Sequence, residues 1–479
     1  MRSKYKTIIR ILIPIPFIIG VIGARMAGFN IADALYGSFC YYFVSVYWEA
    51  YNPLMEIARW TAPLMTATGI FYSLSSIFAS LRGRMISWRD DSVVIYCSGN
   101  MDEARMLRDD IPNSFIVQMD GEHEAAFYPR VKTQILLLEK DGMNLEFYSR
   151  HYEVLKDRNV HMKLVNLDPN LLKENNIHFF NINENIAANL WQDNPVILDA
   201  PSIENEINIA IVGNGELAEK MLQCGLLLNI FHDRQHIVYH IYGGWTGARA
   251  MMADIDTMNG DRIILEEKSF EDSLGDMKNM DRIIVAEEYN QDKLEDLIYL
   301  CPKVPVYYYS KSNEEPSRFF KADNIHAYGS DEAVFSRSNF IEEVSYRRAK
   351  ALNYVTGERK EMMSYASLDS NMEEEWLKLD GETRTAYRFI SEYYSMYIRL
   401  ADMDIGMTDD VFEMEPLEHI RYCRFHYIFH WTYGEPENGA LRDPDERINR
   451  LLKPYDQLTE DESATILQKV IFLVHHLKK

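Results

Sequence analysis

A glycine-containing turn near the middle of the chain has the composition of a phosphate-binding loop. The predicted strand Ile207–Val212 leads directly into Gly213-Asn214-Gly215-Glu216-Leu217-Ala218, and the predicted helix Glu219–Leu228 continues from it. Glycines in such a turn let the backbone approach a pyrophosphate, and the helix N-terminus faces that group. The turn therefore predicts a site for NAD or another nucleotide. Its candidate binding residues are Gly213, Gly215, Glu216 and Ala218.

The surroundings of this turn leave a second interpretation open. A dinucleotide site has an acid at the end of its second strand, where the carboxylate holds the ribose hydroxyls. The second strand here ends in Tyr242-Gly243-Gly244, and the next carboxylate is Asp254. An earlier turn of the same kind, Cys97-Ser98-Gly99-Asn100, keeps one glycine, which favours a structural role there. The Gly213 turn therefore either binds a nucleotide or keeps its glycines for packing.

Aromatic and basic side chains in region 405–479 suggest a second candidate site. Aromatic rings can stack on a nucleobase, and basic groups can form charge-assisted hydrogen bonds with a phosphate. The candidates for such a ligand site are Arg421, Trp431, Tyr433, Arg447, Lys453 and Tyr455. The alternative is that the rings form the core of a small domain and that Arg421 pairs with Glu418 or another nearby acid.

Motifs for catalysis and metal binding are missing from the sequence. It contains no GxSxG nucleophile elbow and no Walker loop, and His123-Glu124 is followed by Phe127 where a zinc protease needs histidine. Five cysteines are scattered without a CxxC pair, which indicates a reducing compartment. The pair His475-His476 indicates a helix end rather than two metal ligands. The sequence therefore predicts that the protein is not an enzyme.

Charge is distributed unevenly along the 479 residues, whose formal net charge is −23. Residues 1–90 hold nine Lys or Arg and four Asp or Glu, so this part is net +5 and the remainder is −28. Such an acidic remainder repels phosphate backbones, and nucleic acid is therefore not expected as a partner.

The first ninety residues contain three apolar stretches, Tyr5–Met26, Ala34–Trp48 and Trp60–Leu81. The last stretch has no charged residue, and its length matches a hydrocarbon core of roughly 30 Å. Basic residues precede the first stretch and follow the last, which predicts two crossings with both termini cytoplasmic. The expected location is the inner (plasma) membrane. Simple anchoring and a signal peptide cleaved near Ala24 are the alternatives.

This region resembles the pore domain of two-helix potassium channels. The similarity rests on Asp33-Ala34-Leu35-Tyr36, on the aromatic residues that follow it, and on Thr68-Gly69-Ile70-Phe71 in the second span. The resemblance implies a re-entrant pore segment between two transmembrane helices. The implied pore residues are Ser45, Val46, Tyr47 and Glu49. Because this stretch lacks the filter glycines of the family, potassium selectivity is not expected.

Short apolar strands alternate with helical segments after Arg89, which predicts parallel α/β sheets. The pattern occurs twice, in residues 90–200 and 201–340, and a helical linker is expected over 341–404. Two such units behind a pore domain resemble tandem regulator-of-potassium-conductance (RCK, TrkA-N-like) domains of Rossmann-like fold. The resemblance implies a homo-oligomer, with four subunits as the family expectation.

The C-terminal region resembles the RyR repeat, a small helical module named for ryanodine receptors. The similarity spans residues 415–470 and rests on three motifs in order: Leu417-Glu418-His419-Ile420-Arg421, Trp431-Thr432-Tyr433-Gly434, and Leu452-Lys453-Pro454-Tyr455. It implies an all-α domain over 405–479 that senses a ligand or a partner.

These patterns together predict a ligand-gated channel in the lipid bilayer. Its pore, residues 1–89, would be gated by a small nucleotide-type ligand bound to the α/β or RyR-like domains. The alternative is a membrane-anchored nucleotide sensor that signals through protein contacts without conducting ions.

Overall fold

The computed structural model of the chain divides into two compact units, Met1–Arg89 and Asp90–Lys479. The structure describes residues 14–45, 47–49, 51–99, 101–119, 126–169, 172, 177–199, 205–243, 261–287, 291–312, 322–358, 370–403, 407, 410–437 and 439–477. Each unit is described separately below.

The first unit contains three helices and a 3₁₀ turn. They are α1 (Ile15–Met26), α2 (Ile31–Cys40), the turn Tyr41–Phe43, and α3 (Pro53–Ile86). Asn52 joins two of the helices, because its Oδ1 accepts from the Met55 amide at 2.9 Å and its Nδ2 donates to the Gly23 carbonyl at 2.7 Å. Small side chains let α1 and α3 approach closely: a Cβ on Gly23 would lie 2.9 Å from Met55 Cγ.

Across the described residues, the structure has no helix with the combined length and apolarity needed to cross a membrane. Helix α1 has 12 residues, which at 1.5 Å per residue is about 18 Å against a core of about 30 Å. The first turns of α3 carry Glu56 and Arg59, which form an ion pair at 3.3 Å. Residues 1–13 and the side chains of 68–84, on which parts of both predicted spans fall, lie outside the description. On this finding, the predicted transmembrane helices, ion-channel pore and inner-membrane location are wrong.

Aromatic packing fixes the segment that was predicted to line a pore. Trp48 is 4% exposed, and its ring fills the space beside Gly37, where any Cβ would overlap it. The Tyr47 hydroxyl donates to Asp33 Oδ1 at 3.4 Å. Ser45, Tyr47 and Glu49 are exposed, and Val46 lies outside the described residues. The described residues of this segment therefore lie at the surface, beside the buried Trp48.

The second unit begins with a five-stranded parallel sheet. Its strands, β1 (Val93–Cys97), β2 (Ser114–Gln118), β3 (Thr133–Leu137), β4 (Asn159–Leu164) and β5 (Ile177–Asn181), lie in the order β2-β1-β3-β4-β5. The associated helices are α4 (Met101–Asp110), α5 (Asp141–Arg150), α6 (Tyr152–Leu155) and α7 (Ile182–Asp193). Every residue of β1 is buried, as expected for a central strand covered on both faces.

A six-stranded parallel sheet follows the 3₁₀ turn Val196–Leu198. Its strands are β6 (Glu206–Val212), β7 (His236–Tyr242), β8 (Arg262–Leu265), β9 (Arg282–Val285), β10 (Val306–Tyr309) and β11 (Ile325–Tyr328), in the order β11-β10-β9-β6-β7-β8. Its helices are α8 (Glu216–Leu228), α9 (Leu274–Met277), preceded by the 3₁₀ turn Glu271–Ser273, and α10 (Gln291–Leu300). The second unit thus has two parallel-sheet α/β domains, consistent with Rossmann-like folds.

The rest of the second unit is mainly helical. Its helices are α11 (Asp331–Val334), α12 (Arg337–Phe340), α13 (Val344–Glu358), α14 (Ser370–Leu377), α15 (Gly381–Asp402), α16 (Val411–Ile428) and α17 (Glu460–Leu477). Three two-residue strands, β12 (Thr432–Tyr433), β13 (Arg442–Asp443) and β14 (Ile448–Asn449), precede the 3₁₀ turn Tyr455–Gln457. The all-α prediction for this region is therefore wrong. The sequence did not reveal these strands, because strands of two residues leave no alternating pattern.

One hydrophobic core joins the two α/β domains and the C-terminal helices. Trp191 of α7 packs against Gly225 of α8, where a Cβ would lie 3.2 Å from the indole, and its Nε1 donates to the Met221 carbonyl at 2.9 Å. Arg424 of α16 is fully buried and donates to Asp261 Oδ2 at 2.6 Å and to the Leu226 carbonyl at 2.9 Å. Helix α16 is therefore anchored on the second α/β domain.

Candidate functional site

The Gly213 turn is closely packed between three strands. Gly213 has φ +144°, which favours glycine, and its amide donates to the Tyr242 carbonyl at 2.9 Å. A Cβ on Gly213 would lie 3.1 Å from the Ala286 carbonyl oxygen and 3.4 Å from the Cβ of Ala218. The identities of Gly213 and Ala218 are thus explained by packing.

The end of strand β7 lies directly against the same turn. Gly243 has φ +155°, and a Cβ there would lie 2.6 Å from the carbonyl carbon of Gly213. Gly215, by contrast, has open space where a Cβ would be, and it begins α8 without a capping side chain. Asp254 lies outside the described residues.

Acidic groups surround the first turn of α8. Glu216 and Glu219 both lie there. Burial raises the pKa of Glu216; Lys220 opposes this shift, whereas the carboxylates of Glu219 and Asp168 add to it. A phosphate placed here would meet carboxylates close to the backbone amides, which weakens the attraction of the helix dipole.

A more basic cavity, of about 110 Å³, lies among α15, α16, α17 and strand β13. It is lined by Glu382, Thr383, Ala386, Ile390, Arg421, Tyr422, Phe425, His426, Arg442 and Lys469. We call it the basic cavity below.

Arg421 contributes a partly unused guanidinium to the basic cavity. Its Nε and Nη2 each donate to Glu418 at 2.7 Å, whereas its Nη1 is buried without a hydrogen-bond partner. Lys469 Nζ lies 2.8 Å from Glu418 Oε1, so a single carboxylate is shared by two cations. Arg421 and Lys469 hold the pKa of Glu418 down, at about 2, against the effect of burial. The Arg421–Glu418 pairing expected as an alternative therefore exists, but one donor is left over.

A tryptophan and two further arginines border the basic cavity. Trp431 Nε1 donates to Glu382 Oε1 at 2.6 Å, and Arg447 Nη1 donates to Glu382 Oε2 at 3.2 Å. The Cζ atoms of Arg442 and Arg447 lie 6.0 and 5.8 Å from the Trp431 ring centroid. The Arg442 side chain is exposed, so its charge can reach a ligand at the cavity opening.

His426 is neutral inside this cationic group. Burial lowers its pKa to about 4, and the nearby charges of Arg442 and Lys469 act in the same direction. Its Nδ1 lies 2.8 Å from the Tyr422 carbonyl, and its ring meets Trp431 edge to face at 5.4 Å. The ring is therefore a fixed, uncharged part of the cavity wall.

The structure brings together only some of the residues predicted for this site. Arg421 lines the cavity, and Trp431 and Arg447 lie beside it, although Trp431 is only 4% exposed and offers no open face for stacking. Tyr433 is exposed and is not part of the cavity lining. Lys453 instead pairs with Glu462 at 3.0 Å, and the Tyr455 hydroxyl lies 3.4 Å from Ser463 Oγ.

Sequence reasoning missed Arg442, Lys469, Tyr422 and His426. Lys469 did have a signal, because it is a charged residue within the apolar run of the last helix. Arg442 lies between a glycine and a proline in an irregular stretch, and no periodic pattern marks it. Its role depends on strand β13, which places it near α16.

Comparisons with known proteins assign no identity to the chain. No protein-family model matches it, and no curated protein matches it significantly. The RCK-like and RyR-like resemblances, the NAD-type cofactor and the tetramer therefore stay predictions.

Proposed function

We propose that the protein is a ligand sensor whose C-terminal region binds the phosphate part of a small nucleotide-type ligand in the basic cavity. The observation that carries this proposal is the buried Arg421 Nη1, which has no hydrogen-bond partner, on a residue that lines the cavity together with Arg442 and Lys469. A buried donor without a partner costs free energy, and an anionic oxygen would satisfy it. No membrane role or ion conduction is part of the proposal.

The charge around the cavity favours an anion. Cationic side chains outnumber carboxylates there, with Arg421, Arg442, Arg447 and Lys469 against Glu382 and Glu418. This contrasts with the −23 net charge of the whole chain. An anionic ligand is therefore attracted locally although the protein repels anions at long range, so binding weakens as salt screens the local charges.

The size of the cavity limits how much of a ligand it encloses. Its volume of about 110 Å³ is well below the roughly 300–1,000 Å³ of pockets that enclose a whole drug-sized molecule. A phosphate or pyrophosphate group is therefore the enclosed part. The nucleoside would lie outside, beside the exposed Arg442.

Helix α16 provides the connection between binding and response. Arg421 lines the cavity, and Arg424, one turn later on the same helix, forms the buried contact with Asp261 of the second α/β domain. A ligand that binds one position of α16 better than another would change the contact of this domain with the C-terminal region.

The proposal is tested by calorimetric titration of the full chain with pyrophosphate, ADP and NAD. We expect binding that weakens with salt, and about 10-fold weaker binding for Arg442→Gln because one charge-assisted hydrogen bond is lost. The matched control is Arg450→Gln, because Arg450 pairs with Glu462 and does not line the cavity. Binding that Arg442→Gln leaves unchanged, or a failure of all three compounds to bind, would overturn the proposal.

A further inference from the structure

Two histidines of the first α/β domain lie side by side on neighbouring strands. His161 of β4 and His178 of β5 are register partners in the parallel ladder, so their side chains point to the same face. Their ring centroids are 4.7 Å apart with an interplanar angle of 20°. Because β5 is an edge strand, other parts of the chain can approach this pair.

The segment before helix α13 brings a carboxylate to the histidine pair. Glu343 Oε1 lies 3.0 Å from His178 Nδ1, and one ligand-type atom from each of His161, His178 and Glu343 lies within 4.8 Å of the others. Glu343 has φ +43°, a conformation that side-chain-bearing residues rarely adopt and that costs free energy. The surrounding contacts hold this backbone so that the carboxylate faces the imidazoles.

Two polar atoms in this cluster are buried without hydrogen-bond partners. His161 is 2% exposed and its Nε2 has no partner. Glu373 Oε1 is also unpaired and lies 4.0 Å from His178 Nε2.

A lysine ammonium already acts as a cation at the edge of the cluster. Lys350 Nζ lies 2.5 Å from Glu343 Oε2 and 2.7 Å from Glu373 Oε2. His178 and Glu343 also line a cavity of about 40 Å³, which has room for a water molecule or an ion. The Lys350 contacts leave His161 Nε2 and Glu373 Oε1 unsatisfied.

We propose that His161, His178 and Glu343 bind a divalent transition-metal ion of the zinc class, with a water molecule as the fourth ligand. Two imidazoles and carboxylate oxygens suit Zn²⁺, with metal–ligand distances of about 2.0–2.2 Å. The side chains must therefore move closer together on binding, and the Lys350 ammonium competes with the metal for the Glu343 carboxylate. The metal would join strands β4 and β5 to the helical region that begins at Glu343.

The first test is a zinc titration of full-length protein that has been treated with a chelator and dialysed. We expect one zinc ion per chain by calorimetry, a higher melting temperature, and tetrahedral visible bands when cobalt replaces zinc. Weak, substoichiometric binding without thermal stabilisation would overturn the proposal.

Variants separate a metal site from a structural ion cluster. His178→Ala should weaken zinc binding at least about 10- to 100-fold, the range seen even when only an outer-sphere partner is removed. His240→Ala is the matched control, because His240 has a carboxylate partner, Glu266 at 2.6 Å, but belongs to no comparable ligand group among the described residues. Zinc affinity that falls equally in both variants, or in neither, would contradict the assignment.

Lys350→Met provides a readout that does not depend on losing a ligand. If the ammonium competes with the metal, its removal raises zinc affinity, and zinc restores the stability that the uncompensated carboxylates cost. A variant that is destabilised and gains nothing from zinc would show that the cluster is a salt bridge and not a metal site.

Discussion

The Gly213 turn and the basic cavity differ in the two properties that decide anion binding, charge and free donors. The turn has the glycine pattern of a phosphate loop, yet the Gly213 amide already donates to Tyr242 and the adjoining helix begins with Glu216 and Glu219. The cavity has no recognised phosphate motif, yet it contains a buried Arg421 nitrogen without a partner. A motif therefore describes the backbone path, whereas binding depends on which polar groups remain unsatisfied.

The largest loss of stability is expected for a substitution at Gly243, where the end of strand β7 lies against the Gly213 turn. Gly243→Ala would force a Cβ to within 2.6 Å of the Gly213 carbonyl carbon at φ +155°. Backbone strain and overpacking together should lower the free energy of unfolding by about 3–5 kcal/mol. Urea denaturation measures this loss.

Gly215→Ala is the control within the same turn, because a Cβ there meets no atom within 4 Å. Its cost should stay within about 1 kcal/mol. If both variants lower the free energy of unfolding by the same small amount, close packing does not determine the structure of the turn. The turn and the basic cavity would then not differ in the way described above.

A second effect should appear in the pH dependence of the free energy of unfolding, through His426 in the cavity wall. The pKa of His426 falls from 6.5 in the unfolded chain to about 4 in the fold, so the unfolded chain binds more protons between these values. The contribution of neutral His426 to the free energy of unfolding is complete above pH 6.5 and is lost as the pH falls towards 4. It amounts to about 3 kcal/mol at 1.36 kcal/mol per pKa unit.

His426→Phe isolates this contribution, because the other buried histidines are common to both proteins. We expect the unfolding free energy of the variant to fall less steeply than that of the wild type between pH 6.5 and 4, as followed by urea denaturation. Parallel curves would mean that His426 is exposed to solvent and that burial in the cavity wall does not lower its pKa.

The smallest change in stability and affinity is expected for a substitution at Tyr433, which lies outside the basic cavity. Tyr433 is 54% exposed, and its hydroxyl lies 3.5 Å from Glu435 Oε1. Tyr433→Ala should change both stability and pyrophosphate affinity by no more than about 0.5 kcal/mol. A loss of affinity comparable to that of Arg442→Gln would place the phosphate beside strands β12, β13 and β14 instead.

Strands of the two α/β domains were largely predictable. Buried parallel strands are continuous apolar runs, and the predicted strand Ile207–Val212 corresponds to β6, Glu206–Val212. Strand β11 leaves no such apolar run, because Ile325-His326-Ala327-Tyr328 contains a polar residue and lies at a sheet edge. The long apolar stretches of the first unit were misinterpreted as lipid-facing. Within the described part of that unit, residues such as Gly20 and Ala58 pack helix against helix.

Side-chain assemblies were less predictable than strands. Arg421 was identified through its neighbours in the chain, but Arg442 and Lys469 reach the cavity from other elements. His161 and His178 are 17 residues apart in the sequence, and their proximity follows only from strand register. Local spacing contains no information about such contacts, since tertiary structure creates them.

The Arg424–Asp261 ion pair also has a consequence for synthesis. Its partners are 163 residues apart, so at roughly 5–20 residues per second the ribosome makes Asp261 roughly 8–30 s before Arg424. Through that interval the nascent second α/β domain carries a carboxylate that is fully buried in the finished protein and has no guanidinium to pair with. The apolar surface of α8 also stays uncovered until α16 has been made, so chaperones that hold nascent chains can bind this surface during that interval.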